Sequence, residues 1–395
     1  MKNKPRIRFK GFAEDWEQHK LGDLYKRVNE RNDGTLGRDK WISVAKMYFQ
    51  DPDKVQSNNL DTRTYVMKKG DIAFEGHPNN EFRFGRFVLN DIGTGIISEL
   101  FPIYRPITEY DLDFWKYAIQ LERVMAPIFA KSITSSGNSS NKLDHNHFLN
   151  QELLVPNIEE QKKIGTLLSI LSKNITLHQR KLEKLKLAKK ALLQKLFPKN
   201  GSQFPEIRFK GFTDAWEQRK LSEVVTINPK TELPDEFKYV DLESVVGTNL
   251  LGFQVIKKEN APSRAQRLAS YGDVFYQTVR PYQRNNYLFE NVDKDMVFST
   301  GYAQLRSKLD SYFLLTLVQN DNFVKVVLDN CTGTSYPAIN GSELGKITVQ
   351  IPSNEVEANQ IGKVFRGIDK SITLHQRKLD KLQEVKKGLL QKMFV

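Results

Sequence analysis

The chain has 395 residues, 39% hydrophobic and 11% aromatic, which excludes a disordered polymer and leaves room for two packed cores of roughly 200 residues each. Its formal net charge of +13 points to a polyanionic partner, nucleic acid before an acidic membrane surface, because no run of roughly 18 apolar residues exists and the basic start has no apolar signal-peptide core. The single cysteine, Cys331, excludes an internal disulfide framework, fits a reducing, cytoplasmic setting and has no marked base beside it, so an idle thiol is the simple reading.

In chain order, the first signal is an opening block, Pro5 to Leu21, which returns as Pro205 to Leu221 with 12 of 17 positions identical. A closing block, Ile175 to Phe197, returns as Ile372 to Phe394 with 17 of 23 identical. The offsets, 200 and 197 residues, identify a tandem duplication. Between the flanks the middles, Gly22 to Val155 and Ser222 to Ile351, share almost nothing. One scaffold with two different reading heads is the implied design.

The middles read as mixed α/β. Asp71 to Phe74, Gly95 to Arg105 and Asp273 to Thr278 are strand-like, whereas Asp111 to Lys131 and Asp310 to Asp329 have helical spacing. After the matching KKGDIAFEG and SYGDVFYQT segments the units diverge into loops rich in Arg, Asn and Gln, whose paired hydrogen-bonding groups match guanine and adenine edges in the major groove. The candidates are His77, Asn79, Asn80, Arg83 and Arg86 in the first unit, and Gln277, Arg280, Tyr282, Arg284, Asn285 and Asn286 in the second. Surface loops also collect such residues for solubility alone. Two small polar loops, Ser132 to Lys142 with Asn138 and Lys142, and Asn330 to Asn340 with Tyr336, can approach a phosphate backbone or serve as mere connections. Lys46 and Arg63, with Lys230, Arg264 and Arg267, complete the set of cationic candidates.

Each closing segment carries a 4,3 stripe, the spacing of a coiled-coil seam. The first is Ile164, Leu168, Leu171, Ile175, His178, Leu182, Leu185, Lys189, Leu192 and Leu196; the second is Ile361, Phe365, Ile368, Ile372, His375, Leu379, Leu382, Lys386, Leu389 and Met393. Each stripe needs one partner helix and each unit supplies one, so the two pack on each other, antiparallel in preference to parallel. At ~1.5 Å per residue such a seam spans roughly 48 Å, about one and a half DNA turns. The histidines and lysines in the stripe read as a polar layer or as side chains reaching solvent rather than metal ligands. Lys181, Lys184, Lys186 and Lys190 form either a solvated face or a partner surface.

Catalytic signatures are missing. Gly341 to Lys346 is a defective phosphate loop, Gly93-Thr-Gly95 lacks the third glycine of a dinucleotide fingerprint, and Asn228-Pro229 is followed by Lys230, so no NPPF or DPPY tetrapeptide of the kind that holds a flipped base is present. His145-Asn-His147 has no third ligand nearby. No metal site and no cofactor site is expected in this chain.

Two variable middles, each opened by FKGF-x-x-x-WEQ and followed by a helix with EEQKKI (Glu159 to Ile164; Ala358-Asn-Gln-Ile361 in the second copy) and ITLHQRKL, closely resemble the specificity subunit of type I restriction-modification systems along the whole chain. The resemblance implies two globular α/β target recognition domains, 1–155 and 200–351, joined by spacer helices within 156–199 and 352–395 that form an antiparallel intramolecular coiled coil with a pseudo-two-fold axis. It implies a non-catalytic subunit that binds double-stranded DNA at a bipartite, asymmetric target and docks methyltransferase subunits, two in number, that methylate adenine. S-adenosylmethionine, ATP and Mg would belong to those partners and to a restriction and translocase subunit. A protein-only coiled-coil scaffold and a self-sufficient DNA nuclease remain as alternatives.

Overall fold

The computed structural model describes residues 3–55, 63–136, 140–199, 201–290, 295–333 and 335–395. Two long helices, Ile158–Lys195 and Glu355–Lys392, dominate it. Asn157 Oδ1 accepts from Glu160 N (2.9 Å) and Asn354 Oδ1 from Val356 N (2.8 Å), so each start has a side-chain cap for backbone donors that lack helical partners. Pro198, three residues beyond Lys195, cannot continue the first helix.

The chain divides into two units, Met1–His178 with Lys378–Val395, and Gln179–Arg377. Each therefore contains the start of one long helix and the end of the other, instead of keeping its own closing helix whole. In the first unit Ile164 and Leu168 are buried in one core with Met393 and Phe394; in the second, Ile361 and Phe365 share a core with Leu196 and Phe197. Start meets end in both, which is the antiparallel pairing. Lys189 of the stripe is part of a polar contact, its Nζ 2.6 Å from Asp369 Oδ1, whereas Lys386 lies 4.8 Å above the Tyr117 ring.

The first unit has a four-stranded antiparallel sheet in the order Tyr25–Val28, Ile103–Pro106, Ile72–Glu75, Arg86–Leu89, beside a pair Thr64–Met67 and Gly95–Ser98. The second repeats the first sheet as Val225–Ile227, Tyr302–Ser307, Val274–Gln277, Tyr287–Leu288. Its other layer grows to four strands, in which Glu236–Val240 runs parallel to Met296–Ser299; the first unit keeps that link as a single parallel bridge, Trp41 to Ile96. The helical stretches expected at 111–131 and 310–329 each break once, into Leu112–Ala118 and Glu122–Ser132, and Ser311–Gln319 and Asp321–Asp329. The segment expected as one strand at 95–105 folds back between Ser98 and Ile103.

The repeated blocks owe their likeness to one another's contacts. Strand Glu17–Lys20 pairs with Glu152–Val155, and Glu217–Lys220 with Thr348–Ile351. Arg8 holds the buried Glu160 with Nε and Nη2 (2.6 and 2.7 Å), and Arg208 holds Glu357 likewise (2.7 and 2.8 Å). Each carboxylate sits in a helix's first turn, where the backbone dipole also favours it, and in return raises the pKa of its arginine. The glutamate of the EEQKKI pattern thus recurs as Glu357, one residue before Ala358.

Candidate nucleic-acid interface

Three segments meet at one place in each unit. The strand Ile72–Glu75 runs into the loop 77–85, and the Gly76 carbonyl accepts from Asn141 N (2.8 Å). A Cβ at Gly76 would stand 2.2 Å from the Asn141 carbonyl oxygen, so only glycine lets the strand Asn141–Leu143 approach so closely. The third segment is the turn between Ile42–Ser43 and Tyr48–Phe49, whose Ala45 carbonyl accepts from Arg86 Nη2 (2.7 Å). In the second unit Thr278 takes the place of Gly76 and accepts from Ile339 N (3.1 Å), Arg280 N donates to the Pro337 carbonyl (2.8 Å), and Asn285 Oδ1 accepts from Gly247 N (2.8 Å) in the corresponding turn. The small polar loops are therefore bonded to the segment that follows the strand, and in the first unit that region contains the paired strands Ile133–Ser136 and Asn141–Leu143.

Of the first-unit candidates, His77, Asn79, Asn80, Arg83, Lys142 and, at the hairpin turn, Lys46 are exposed on these segments. Asn79 Oδ1 accepts from Glu81 N and Phe82 N (2.8 and 3.0 Å) and so shapes its own turn. Arg86 is half-buried, with Nε on Glu75 Oε2 (2.9 Å). Asn138 lies outside the described residues.

In the second unit Arg280, Gln283, Asn285 and Tyr336 line a cleft of about 360 Å³ with Leu242 and Val246. Tyr282 and Tyr336 are 50% and 64% exposed. Gln277 and Asn286, expected as base contacts, are instead buried and hold the loop from beneath: Asn286 Oδ1 accepts from Gln277 N, and Gln277 Nε2 donates to Gln283 Oε1, both at 2.8 Å. Such bonds use both ends of the Gln277 amide, whose Oε1 also accepts from Asn285 N (3.2 Å), whereas the buried Nδ2 of Asn286 has no partner among the described residues. Arg284 is half-buried and bonded to Asp321.

The outlying cations divide. Arg63 and Arg264 prove equivalent, since Glu99 N donates to the Arg63 carbonyl (3.0 Å) and Thr300 N to that of Arg264 (2.8 Å); both side chains are exposed, as is Lys230. Arg267 is half-buried with its Nε unbonded among the described residues, and burial lowers its pKa. Sequence reading missed the Arg63 and Arg264 match because the residues around them differ; the shared GD of 70–71 and 272–273, used as an anchor, would have aligned them to within one position. Among the described residues no group of three His, Cys, Asp or Glu side chains is placed to hold a metal ion, and His145-Asn-His147 opens a short helix capped by Asp144. No helix among them is long and apolar enough to cross a membrane.

Residues 213–384 match the model of the type I restriction modification DNA specificity domain. The chain is 22% identical to the type I restriction enzyme MjaVIII specificity subunit of Methanocaldococcus jannaschii, over 95% of this chain and 91% of that one. It is also 22% identical to the putative MjaX specificity subunit of the same organism, over 95% and 92%. The crystal structure of a type I restriction-modification S subunit from M. genitalium has the same fold, with a TM-score of 0.62, 15% identity and 99% of both chains covered. The repeated units and the paired helices agree with the architecture of these matches. Along nearly its whole length the chain is thus similar to specificity subunits of type I restriction-modification systems, and residues 213–384 match the DNA specificity domain of that family.

Proposed function

We propose that each unit reads one half of a bipartite, asymmetric DNA target through its three converging segments. The observation that carries this is that both units bring the same three segments together, with one backbone bond recurring (Gly76 carbonyl from Asn141 N, Thr278 carbonyl from Ile339 N) and the other links made by different side chains. A shared frame gives both heads one docking geometry, and unlike surfaces give them unlike half-sites. Exposed lysines and arginines hold phosphates without regard to sequence, so affinity falls steeply with salt, while a few bidentate base contacts of ~1–3 kcal/mol each define a half-site. The helices that run from one unit into the other fix the unread gap.

The same helices dock the modification subunits. Leu177 and Leu374, at the same place in the repeated ITLHQRKL block, are 64% and 52% exposed, and two equivalent apolar surfaces suit two copies of one methyltransferase. Those subunits bring S-adenosylmethionine and methylate an adenine in each half-site; a restriction subunit brings ATP-driven translocation and Mg-dependent cleavage, all in the cytoplasm. The test is to replace residues 22–150 with the corresponding segment of another specificity subunit and map methylated adenines in the host genome. One half of the motif should change and the other persist. Simultaneous change of both halves would refute the modular reading.

A further inference from the structure

We infer that Arg83 and Arg280 read guanine, one in each half-site, and that Arg86 and Arg284 position the loops that present them. This rests on the DNA-recognition reading and deepens it. Each loop carries two arginines, and the two units divide them in the same way. Arg86 donates to Glu75 Oε2 (2.9 Å) and to the Ala45 carbonyl (2.7 Å), with the Phe82 ring 5.2 Å from its guanidinium carbon. Arg284 donates to Asp321 Oδ1 (2.6 Å) and to the Gln319 carbonyl (3.1 Å). A guanidinium fixed on two sides cannot turn a parallel pair of N–H groups toward guanine O6 and N7.

Arg83 and Arg280 keep that pair. Among the described residues neither guanidinium makes a hydrogen bond or an ion pair, and each lies over an aromatic ring, Phe84 at 5.2 Å and Tyr336 at 4.4 Å. A ring face fixes the plane of the group and leaves its edge donors outward, so less rotamer freedom is lost on binding. The backbones are held as well: Arg83 N donates to Glu122 Oε1 (3.0 Å) and Arg280 N to the Pro337 carbonyl (2.8 Å). Arg280 and Arg284 have φ of +54° and +55° on either side of the single turn Pro281–Gln283. Side chains other than glycine rarely adopt that left-handed region, and such strain persists where surrounding bonds impose it at a working site.

Guanine rather than adenine follows from the arginine fork, which has donors only and cannot accept from the adenine N6 amine. Adenine is read by both ends of an Asn or Gln side chain, but the oxygens of Asn79, Asn285 and Asn286 already accept from their own unit's backbone.

The experiment selects a duplex library with randomised positions on the full chain in complex with its methyltransferase partner, and reads it by sequencing. The wild type should return a bipartite motif with a fixed guanine in each half. Arg280→Ala should lower the preference for guanine at one position of one half roughly 5- to 150-fold and leave the other half unchanged, and Arg83→Ala should do the converse. Arg280→Lys, which keeps the charge and stem without the fork, should bind with near wild-type affinity yet lose the same preference. Arg284→Lys should retain the guanine that Arg284→Ala weakens. A guanine preserved in Arg280→Ala and Arg280→Lys, in protein whose melting temperature is unchanged, overturns the assignment alone. A wild-type complex that selects no motif overturns the recognition reading from which it starts.

Discussion

In both units an arginine from the opening block clamps a buried glutamate in a helix's first turn, yet the tryptophan beside it behaves differently. Trp16 Nε1 donates to Glu160 Oε2 (3.2 Å), whereas the buried Nε1 of Trp216 has no partner among the described residues. The rings themselves keep equivalent places, Trp16 edge-on to Phe114 and Phe394, Trp216 against Phe313 and Phe197. What the duplication has kept is what a buried charge or a close backbone approach compels; bonds that can be lost at moderate cost have drifted even inside the scaffold.

The clamps give the largest expected effect. Arg8→Ala and Arg208→Ala each leave a carboxylate buried with its main counter-charge gone, a loss of about 3–5 kcal/mol. Chemical denaturation of the two variants should show equal losses in the two units. If one variant keeps wild-type stability, the clamps are not equivalent and the scaffold comparison breaks.

Next come two glycines. A Cβ at Gly165 would stand 2.3 Å from Asp111 Oδ1, and one at Gly362 2.0 Å from Asp310 Oδ1. Those carboxylates cap the helices that cross the long ones, accepting from Phe114 N (2.7 Å) and Phe313 N (2.8 Å). Gly165→Ala and Gly362→Ala should each destabilise by about 1–3 kcal/mol through overpacking and a displaced cap. At Gly367 and Gly388, on the second long helix, a Cβ would have nothing within 4 Å, and alanine there should stabilise by roughly 0.5–1 kcal/mol. Thermal melting of the four variants separates the signs. A contrast of similar size tests the tryptophans: Trp16→Phe should cost about 1.5–3 kcal/mol more than the packing change alone, because it removes a bond to a charged group, and Trp216→Phe should show no such excess.

These positions mark how far the sequence was legible. Duplication, helix stripes and antiparallel pairing follow from spacing, since a 4,3 pattern without a second helix has nowhere to bury itself. That Gly165 and Gly362 matter does not follow, because the IG dipeptide acquires meaning only when a capped helix end, distant in sequence, lies against it. At the interface the residue types Arg, Asn and Gln were readable but their division was not. Arg83 and Arg86 look alike in sequence; Glu75 and the Ala45 carbonyl, brought in by the fold, separate them. Gln277 and Asn286 were read as candidate DNA contacts for the same reason, as no local pattern tells an amide that reads a base from one that props the loop.

The smallest effect sharpens the comparison at the matching lysines of the stripe. Lys189 Nζ meets Asp369, which also accepts from Tyr312 Oη (2.7 Å), whereas the first unit has Ser172 in the place of that aspartate, bonded to Tyr117 Oη (2.6 Å). Lys386 is therefore left with the Tyr117 ring, and burial, with Lys116 nearby, lowers its pKa from 10.5. Lys189→Met should destabilise by about 1 kcal/mol, since it strands a half-buried carboxylate, while Lys386→Met should stabilise by about 0.5 kcal/mol. The pH dependence gives the sign independently. A lysine whose folded pKa lies below its unfolded one holds its proton less tightly when folded, so stability rises with pH between the lowered value and 10.5. The advantage of Lys386→Met over the wild type, followed by melting temperature, should shrink across that window as the buried amine becomes neutral. An advantage that grows instead would mean that Lys386 is stabilised as a cation by its ring and that the two lysines are equivalent after all.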